Sequence, residues 1–216
     1  MTTLTRILIN PASRGGRRLL ARPQAMHAAV RACFPPDLEE RHGRVLWRVD
    51  VNANTYTLYI VGPEEPDRAV IVDQAGWASR PGETADYRRF LDSLVTNQEW
   101  AFRLTANPVR SLPSNGKGRG RVVPHVTPEQ QVEWLRTQQD RHGLDLIDVR
   151  VDRRRDLAFV KGRPDAKQRV TLRTAQFDGF LRVTDPNALR SALVLGIGRG
   201  RAYGCGLLTL ARPTAD

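Results

Sequence analysis

The chain has 216 residues, 40% of them apolar, enough to fill one large hydrophobic core or two small ones. Lys and Arg number 34 against 23 Asp and Glu, a net charge of +11, which points to a polyanionic partner. No apolar run is long enough to span a bilayer, and the N-terminus lacks the basic and long apolar regions of a signal peptide, so a membrane-embedded or secreted protein is not expected.

Residues 4–9 read as a strand ended by Asn10-Pro11, and residues 12–22 as a short basic connection. From Gln24 to Phe34 the apolar Met26, Ala29, Val30 and Cys33 recur at helical spacing, and Pro35-Pro36 stops the helix. Residues 44–49 and 56–61 read as paired strands around Asn52-Ala53-Asn54. Residues 70–72 add a strand, and 83–95 read as a helix with Tyr87, Phe90, Leu91 and Leu94 inward. A second cycle opens with a strand at 100–105, ended by Asn107-Pro108. A Gly, Ser, Pro and Arg-rich loop over 109–127 then leads to a helix at 128–142 capped by Thr127. Strands follow at 144–151, 157–161 and 170–177, and a tight turn at Asp178-Gly179 leads into 180–183. A helix opened by Asp185-Pro186 runs to about Leu193, and the last strand covers 207–210.

The order strand–helix–strand–strand–helix–strand thus occurs twice, the second time with an inserted hairpin. That order describes an α+β protein of two tandem ferredoxin-like (βαββαβ) domains, residues 1–95 and 96–216.

The charge is unevenly placed. Residues 1–95 hold 13 basic and 11 acidic side chains, whereas 96–216 hold 21 and 12. Only Lys117, Lys161 and Lys167 are lysines, and the planar fork of arginine suits phosphates and guanine edges. A GC-rich genome alone would also raise the arginine content. Aromatic residues make up only 6%, so backbone and groove contacts to RNA fit better than an extended stacking platform. The candidate basic contacts are Arg14, Arg17 and Arg18 in the first connection and Lys117, Arg119 and Arg121 in the mid-chain loop. Arg150 and Arg153, Arg154 and Arg155 add a third group at the root of the inserted hairpin.

The densest motif is Leu195-Gly-Ile-Gly-Arg-Gly-Arg-Ala-Tyr-Gly-Cys-Gly-Leu-Leu208. Its glycines follow a helix and open a strand, the reverse of a dinucleotide-binding fingerprint. Gly198, Arg199, Gly200 and Arg201 describe a loop that approaches an RNA backbone. They equally describe a flexible turn or a close-packed helix–strand corner.

The four histidines, His27, His42, His125 and His142, have no metal-ligand spacing, and no carboxylate cluster suggests magnesium. No cofactor motif stands out, and Cys33 and Cys205 match neither a zinc site nor a disulfide framework. His27 shares a helix face with Gln24 and Arg31, beside the apolar stripe. An imidazole flanked by arginines can move a proton near neutral pH while its neighbours hold a phosphate. The same spacing also describes a solvated polar face.

Taken together, Ile9-Asn-Pro-Ala-Ser-Arg14, Pro23-Gln-Ala-Met-His27, Arg103-Leu-Thr-Ala-Asn-Pro108 and the stretch from Leu193 to Leu208 resemble the CasE subunits of type I-E CRISPR Cascade. The match is in order, at compatible spacing, over essentially the whole chain. The resemblance implies a cytoplasmic, metal-independent endoribonuclease that binds the CRISPR repeat hairpin and cuts precursor crRNA at the 3′ base of the stem. It implies 5′-hydroxyl and 2′,3′-cyclic phosphate ends, and retention on mature crRNA beside the other Cascade subunits. His27 matches the family's catalytic histidine, as acid for the leaving 5′-oxygen or base for the 2′-hydroxyl. Members often carry tyrosine three residues earlier, where this chain has Gln24. Gln24 and Arg31 are then the candidates for catalytic support, and a non-catalytic hairpin-binding subunit of the same fold is the alternative.

Overall fold

The structure, a computed structural model, describes residues 1–38, 44–113, 121–161 and 168–213. Its N-terminal unit starts with β1 (Thr3–Ile9), whose alternating side chains bury one face. Two helices follow, α1 (Arg14–Ala21) and α2 (Pro23–Ala32), then β2 (Leu46–Asn52), β3 (Thr55–Gly62), α3 (Ala69–Ala75) and β4 (Glu83–Asp86). The strands form an antiparallel sheet in the order β2-β3-β1-β4. A short helix, α4 (Tyr87–Asp92), leads to the second unit.

The C-terminal unit contains β5 (Glu99–Ala106), a small ribbon of β6 (Val109–Ser111) and β7 (Val122–Pro124), then α5 (Pro128–Arg136) and α6 (Gln139–His142). It continues with β8 (Leu144–Lys161), β9 (Gln168–Val183), α7 (Pro186–Leu195) and β10 (Leu208–Ala211). Its four-stranded sheet has the order β10-β5-β9-β8. Counted within each unit, both sheets run 4-1-3-2, the ferredoxin-like order. Thr127 caps α5 through a capping box with Gln130.

Several elements depart from the sequence reading. The expected basic connection contains α1, because Ser13 Oγ accepts from Gly16 N at 2.9 Å and Leu19 enters the core. Residues 70–72 are helical despite their β-branched side chains. Asp67 caps the turn by accepting from Ala69 N, and Ile71 and Ala75, four apart, are buried together. The first turn of the expected 83–95 helix is instead β4, paired to β1 with Thr5 and Thr84 hydroxyls 3.0 Å apart. The helix of 128–142 is divided into α5 and α6.

The second half of the C-terminal unit is also simpler than its sequence pattern. There is no turn at Asp178-Gly179: β8 and β9 pair continuously from Leu144↔Val183 to Lys161↔Gln168, through two bulges in β8. Gly179 is required by the partner strand, since a Cβ there would lie 2.1 Å from Asp148 O. β5 pairs with β9 only as far as Ala175, so the outer parts of β8 and β9 project as a two-stranded arm.

The two sheets share a core. Leu46 and Val61 of the first unit pack in one cluster with Phe102, Leu104, Leu207 and Leu208 of the second. Arg48, 2% exposed, lies inside this junction. Its guanidinium donates to Arg103 O at 2.8 Å, Leu207 O at 2.7 Å and Thr209 Oγ1 at 2.7 Å, and pairs with Asp50 at 2.6 Å. Asp50 also meets Arg103, which pairs with Asp178. Every donor direction of Arg48 therefore has a partner across or beside the junction.

Candidate active site

The α2 helix has Pro23 in its first turn and buries Met26, Ala29 and Val30, which fixes the face that carries His27. His27 is half-buried, and its pKa is held below the usual imidazole value, first by burial and then by the charge of Arg31. The resting side chain is therefore a neutral imidazole at neutral pH.

The glycine-rich stretch forms a single 3₁₀ turn, Arg201–Tyr203, between Gly200 and Gly204, both at positive φ. A Cβ at Gly204 would lie 2.8 Å from Trp47 Cζ3, so only glycine seats the turn on the N-terminal sheet. That seating brings the Tyr203 ring to 6.2 Å from the His27 ring, tilted by 58°. Phe159, on the projecting arm, meets the same tyrosine edge-on at 4.7 Å. An α2 histidine, a late-chain tyrosine and an arm phenylalanine thus form one row.

Gln24, three residues before His27, donates from Nε2 to Val160 O at 2.8 Å and ties α2 to the arm. Between helices and arm lies an open cleft of about 690 Å³, edged by Arg18, Arg22, Gln24 and Phe159. A second cavity of about 150 Å³ is lined by Tyr203, with Trp47, Arg153 and Arg155 also in its wall.

The remaining candidates are dispersed. Arg14 and Arg17 are exposed on α1, and Arg17 donates to Ala12 O; of the α1 arginines, Arg18 edges the cleft. Arg150 and Arg153, Arg154 and Arg155 are all exposed on β8. Strand alternation divides them: Arg153 and Arg155 face the smaller cavity, while Arg154 donates to Val126 O at 3.2 Å beside α5. Arg121 is exposed at the β6–β7 ribbon, its carbonyl accepting from Leu112 N. Lys117 and Arg119 lie outside the described residues, as does His42.

Within the glycine-rich stretch, the close-packed corner describes the local structure. A Cβ at Gly198 would sit 3.0 Å from the Trp134 ring. Arg199 is exposed and its backbone bridges to Asn107. Arg201 turns inward, donating to Gly196 O at 2.9 Å, with its Nε buried and unpartnered. Burial, then Arg44 and Arg141, lower its pKa. Tyr203, Phe159 and Trp47 are the site residues that sequence reasoning missed. The tyrosine was visible among the glycines, but nothing local pairs it with α2.

Among the described residues, no group of three or more His, Cys, Asp or Glu is arranged to hold a metal ion. No described helix is long and apolar enough to cross a membrane.

Fold and site define the class: two ferredoxin-like units in tandem, with a histidine and an aromatic turn meeting at their junction beside a basic arm. The sequence profile of the family described as CRISPR associated protein matches residues 3–212, and the chain belongs to that family. It is 30% identical to the CRISPR-associated endoribonuclease Cse3 of Thermus thermophilus, over 96% of this chain and 99% of that protein. The structure of Thermus thermophilus Cse3 bound to an RNA representing a pre-cleavage complex superposes with a TM-score of 0.78 at 29% identity, covering 97% of this chain and 98% of the other. The CRISPR system Cascade subunit CasE of Escherichia coli is 31% identical over 51% of this chain and 56% of its own length.

Proposed function

We propose that this chain is a cytoplasmic, metal-independent endoribonuclease that binds the CRISPR repeat hairpin and cuts precursor crRNA at the 3′ base of the stem. It then stays on the mature crRNA as a subunit of Cascade. Residues 1–95 supply the proton-transfer group, and residues 96–216 supply the basic arm and glycine-rich turn that hold the RNA. The observation that carries this reading is the approach of His27 to the Tyr203 turn, whose neighbour Phe159 also edges the arginine-lined cleft. The likeness to Cse3 supports it.

The chemistry needs only the RNA and the protein. The 2′-oxygen loses its proton and bonds to the adjacent phosphorus. The P–O5′ bond breaks, the 5′-oxygen takes a proton, and a 2′,3′-cyclic phosphate remains. A neutral His27 is ready to accept the 2′-hydroxyl proton. Arg18 and Arg22 at the cleft edge offset the phosphate charge. The arm and the sheet edge at its root meet A-form RNA through shape and phosphates, using Arg155 on the arm and Arg150 and Arg153 below it.

The test is single-turnover cleavage of the cognate repeat hairpin in EDTA, with analysis of product ends. The expected products carry 5′-hydroxyl and cyclic phosphate, and His27→Ala slows the reaction by roughly 10²–10⁴-fold with hairpin binding retained. Unchanged cleavage by that variant removes His27 from the mechanism. Tight binding without cleavage by the parent protein identifies a hairpin-holding subunit. Equal affinity for hairpin and scrambled RNA at moderate salt defeats hairpin recognition altogether.

A further inference from the structure

We propose that Tyr203 is a second catalytic residue, its hydroxyl donating a hydrogen bond to a non-bridging oxygen of the scissile phosphate while His27 moves the proton; this rests on the endoribonuclease reading above. Three observations converge on it. The turn that carries Tyr203 is built to hold one orientation: Tyr203 N donates to Gly200 O at 2.8 Å, and left-handed glycines flank it. The ring lies 6.2 Å from the His27 ring and 4.7 Å from that of Phe159, so it neighbours the imidazole from a separate part of the chain. Finally, the side-chain amide at position 24 is engaged by the Val160 carbonyl, which directs the Gln24 donor at the arm rather than the RNA.

Packing in this row would be served equally by phenylalanine. What tyrosine adds is a hydroxyl donor beside the imidazole, in a half-buried setting where a preoriented hydrogen bond to developing phosphate charge is strong. The step moves no net proton to or from the tyrosine. The 2′-oxygen's proton passes to the His27 imidazole, the 2′-O–P bond forms, the P–O5′ bond breaks with its electron pair on the 5′-oxygen, that oxygen takes a proton from solvent, and the phenol keeps its hydrogen throughout.

The test compares the parent protein, His27→Ala and Tyr203→Phe in single-turnover cleavage of the repeat hairpin. Binding is measured separately with a hairpin bearing a 2′-deoxy residue at the cleaved position. Tyr203→Phe is expected to lower the saturating rate by about 10²-fold and to change affinity by less than about threefold. Sulfur placed stereospecifically at the non-bridging oxygen weakens that hydrogen bond. The parent should therefore lose rate with one diastereomer, and Tyr203→Phe should show a smaller loss. Parent-like cleavage by Tyr203→Phe, or an undiminished sulfur effect, overturns the role of Tyr203 while leaving His27 in place. Absence of cleavage by the parent protein overturns both readings together.

Discussion

At the scale of single residues, the environment of His27 sets a sign for the pH dependence. Burial and then Arg31 disfavour the imidazolium, so the free protein's His27 gives up its proton below the usual imidazole pH. A base must be deprotonated to act. Cleavage at limiting protein concentration is therefore expected to rise with pH through that lowered value and to stay flat across neutrality. A rate that falls through the same range assigns His27 to the leaving 5′-oxygen instead. Sulfur in place of that 5′-oxygen separates the roles independently, because a thiolate leaves without a proton. With His27 as base, His27→Ala stays slow on the 5′-thio RNA; restored cleavage marks it as the acid.

At the scale of elements, the glycine-rich turn depends on one close approach. Gly204→Ala must place a side chain at φ 79° and push its Cβ into the Trp47 ring. The left-handed backbone alone costs about 1–2 kcal/mol, and the clash adds to it. The melting temperature is expected to fall by several degrees, with cleavage reduced more than hairpin affinity because Tyr203 is the adjacent residue. A variant that melts and cleaves like the parent shows that the turn is not seated as described. The sequence displayed these glycines but not their reason, since Trp47, Trp134 and Leu46 meet them only through the tertiary fold. Helical spacing exposed α2, and the proline-led, capped start exposed α5, because both signals are local. By contrast, α1 was hidden by its paired glycines and arginines. The β-branched residues of α3 suggested a strand, and polar β4 carries no apolar stripe; pairing and burial decided both. His27 was legible as chemistry, whereas its aromatic partner was not, because the two sit at opposite ends of the sequence.

At the scale of the whole molecule, the proposed cleavage geometry depends on the junction between units. His27 hangs from the first sheet and Tyr203 precedes the last strand of the second, so their spacing holds only while the sheets stay in register. Arg48 is the main polar tie there, reaching β5 and β10 from β2. Its replacement by Ala removes four partners' donor and leaves Asp50 to Arg103 alone, at 3.4 Å. Breaking one side of a buried pair costs about 3–5 kcal/mol, which in a chain of this size lowers the melting temperature by roughly 6–20 °C. The double variant Arg48→Met with Asp50→Leu removes both charges, and should regain much of that stability because no buried ion is left unpaired. Stability and cleavage then separate. The double variant is expected to melt between the Arg48→Ala variant and the parent, since apolar packing at the junction is kept but the Arg103 and Leu207 carbonyls lose a donor. Its single-turnover rate should still fall, because the carbonyls of Arg103 and Leu207 no longer pin the two sheets, while hairpin affinity, which the proposal assigns to the second unit, changes little. Parent-like cleavage by the refolded double variant would mean that the shared apolar core, and not the guanidinium, sets the His27–Tyr203 spacing.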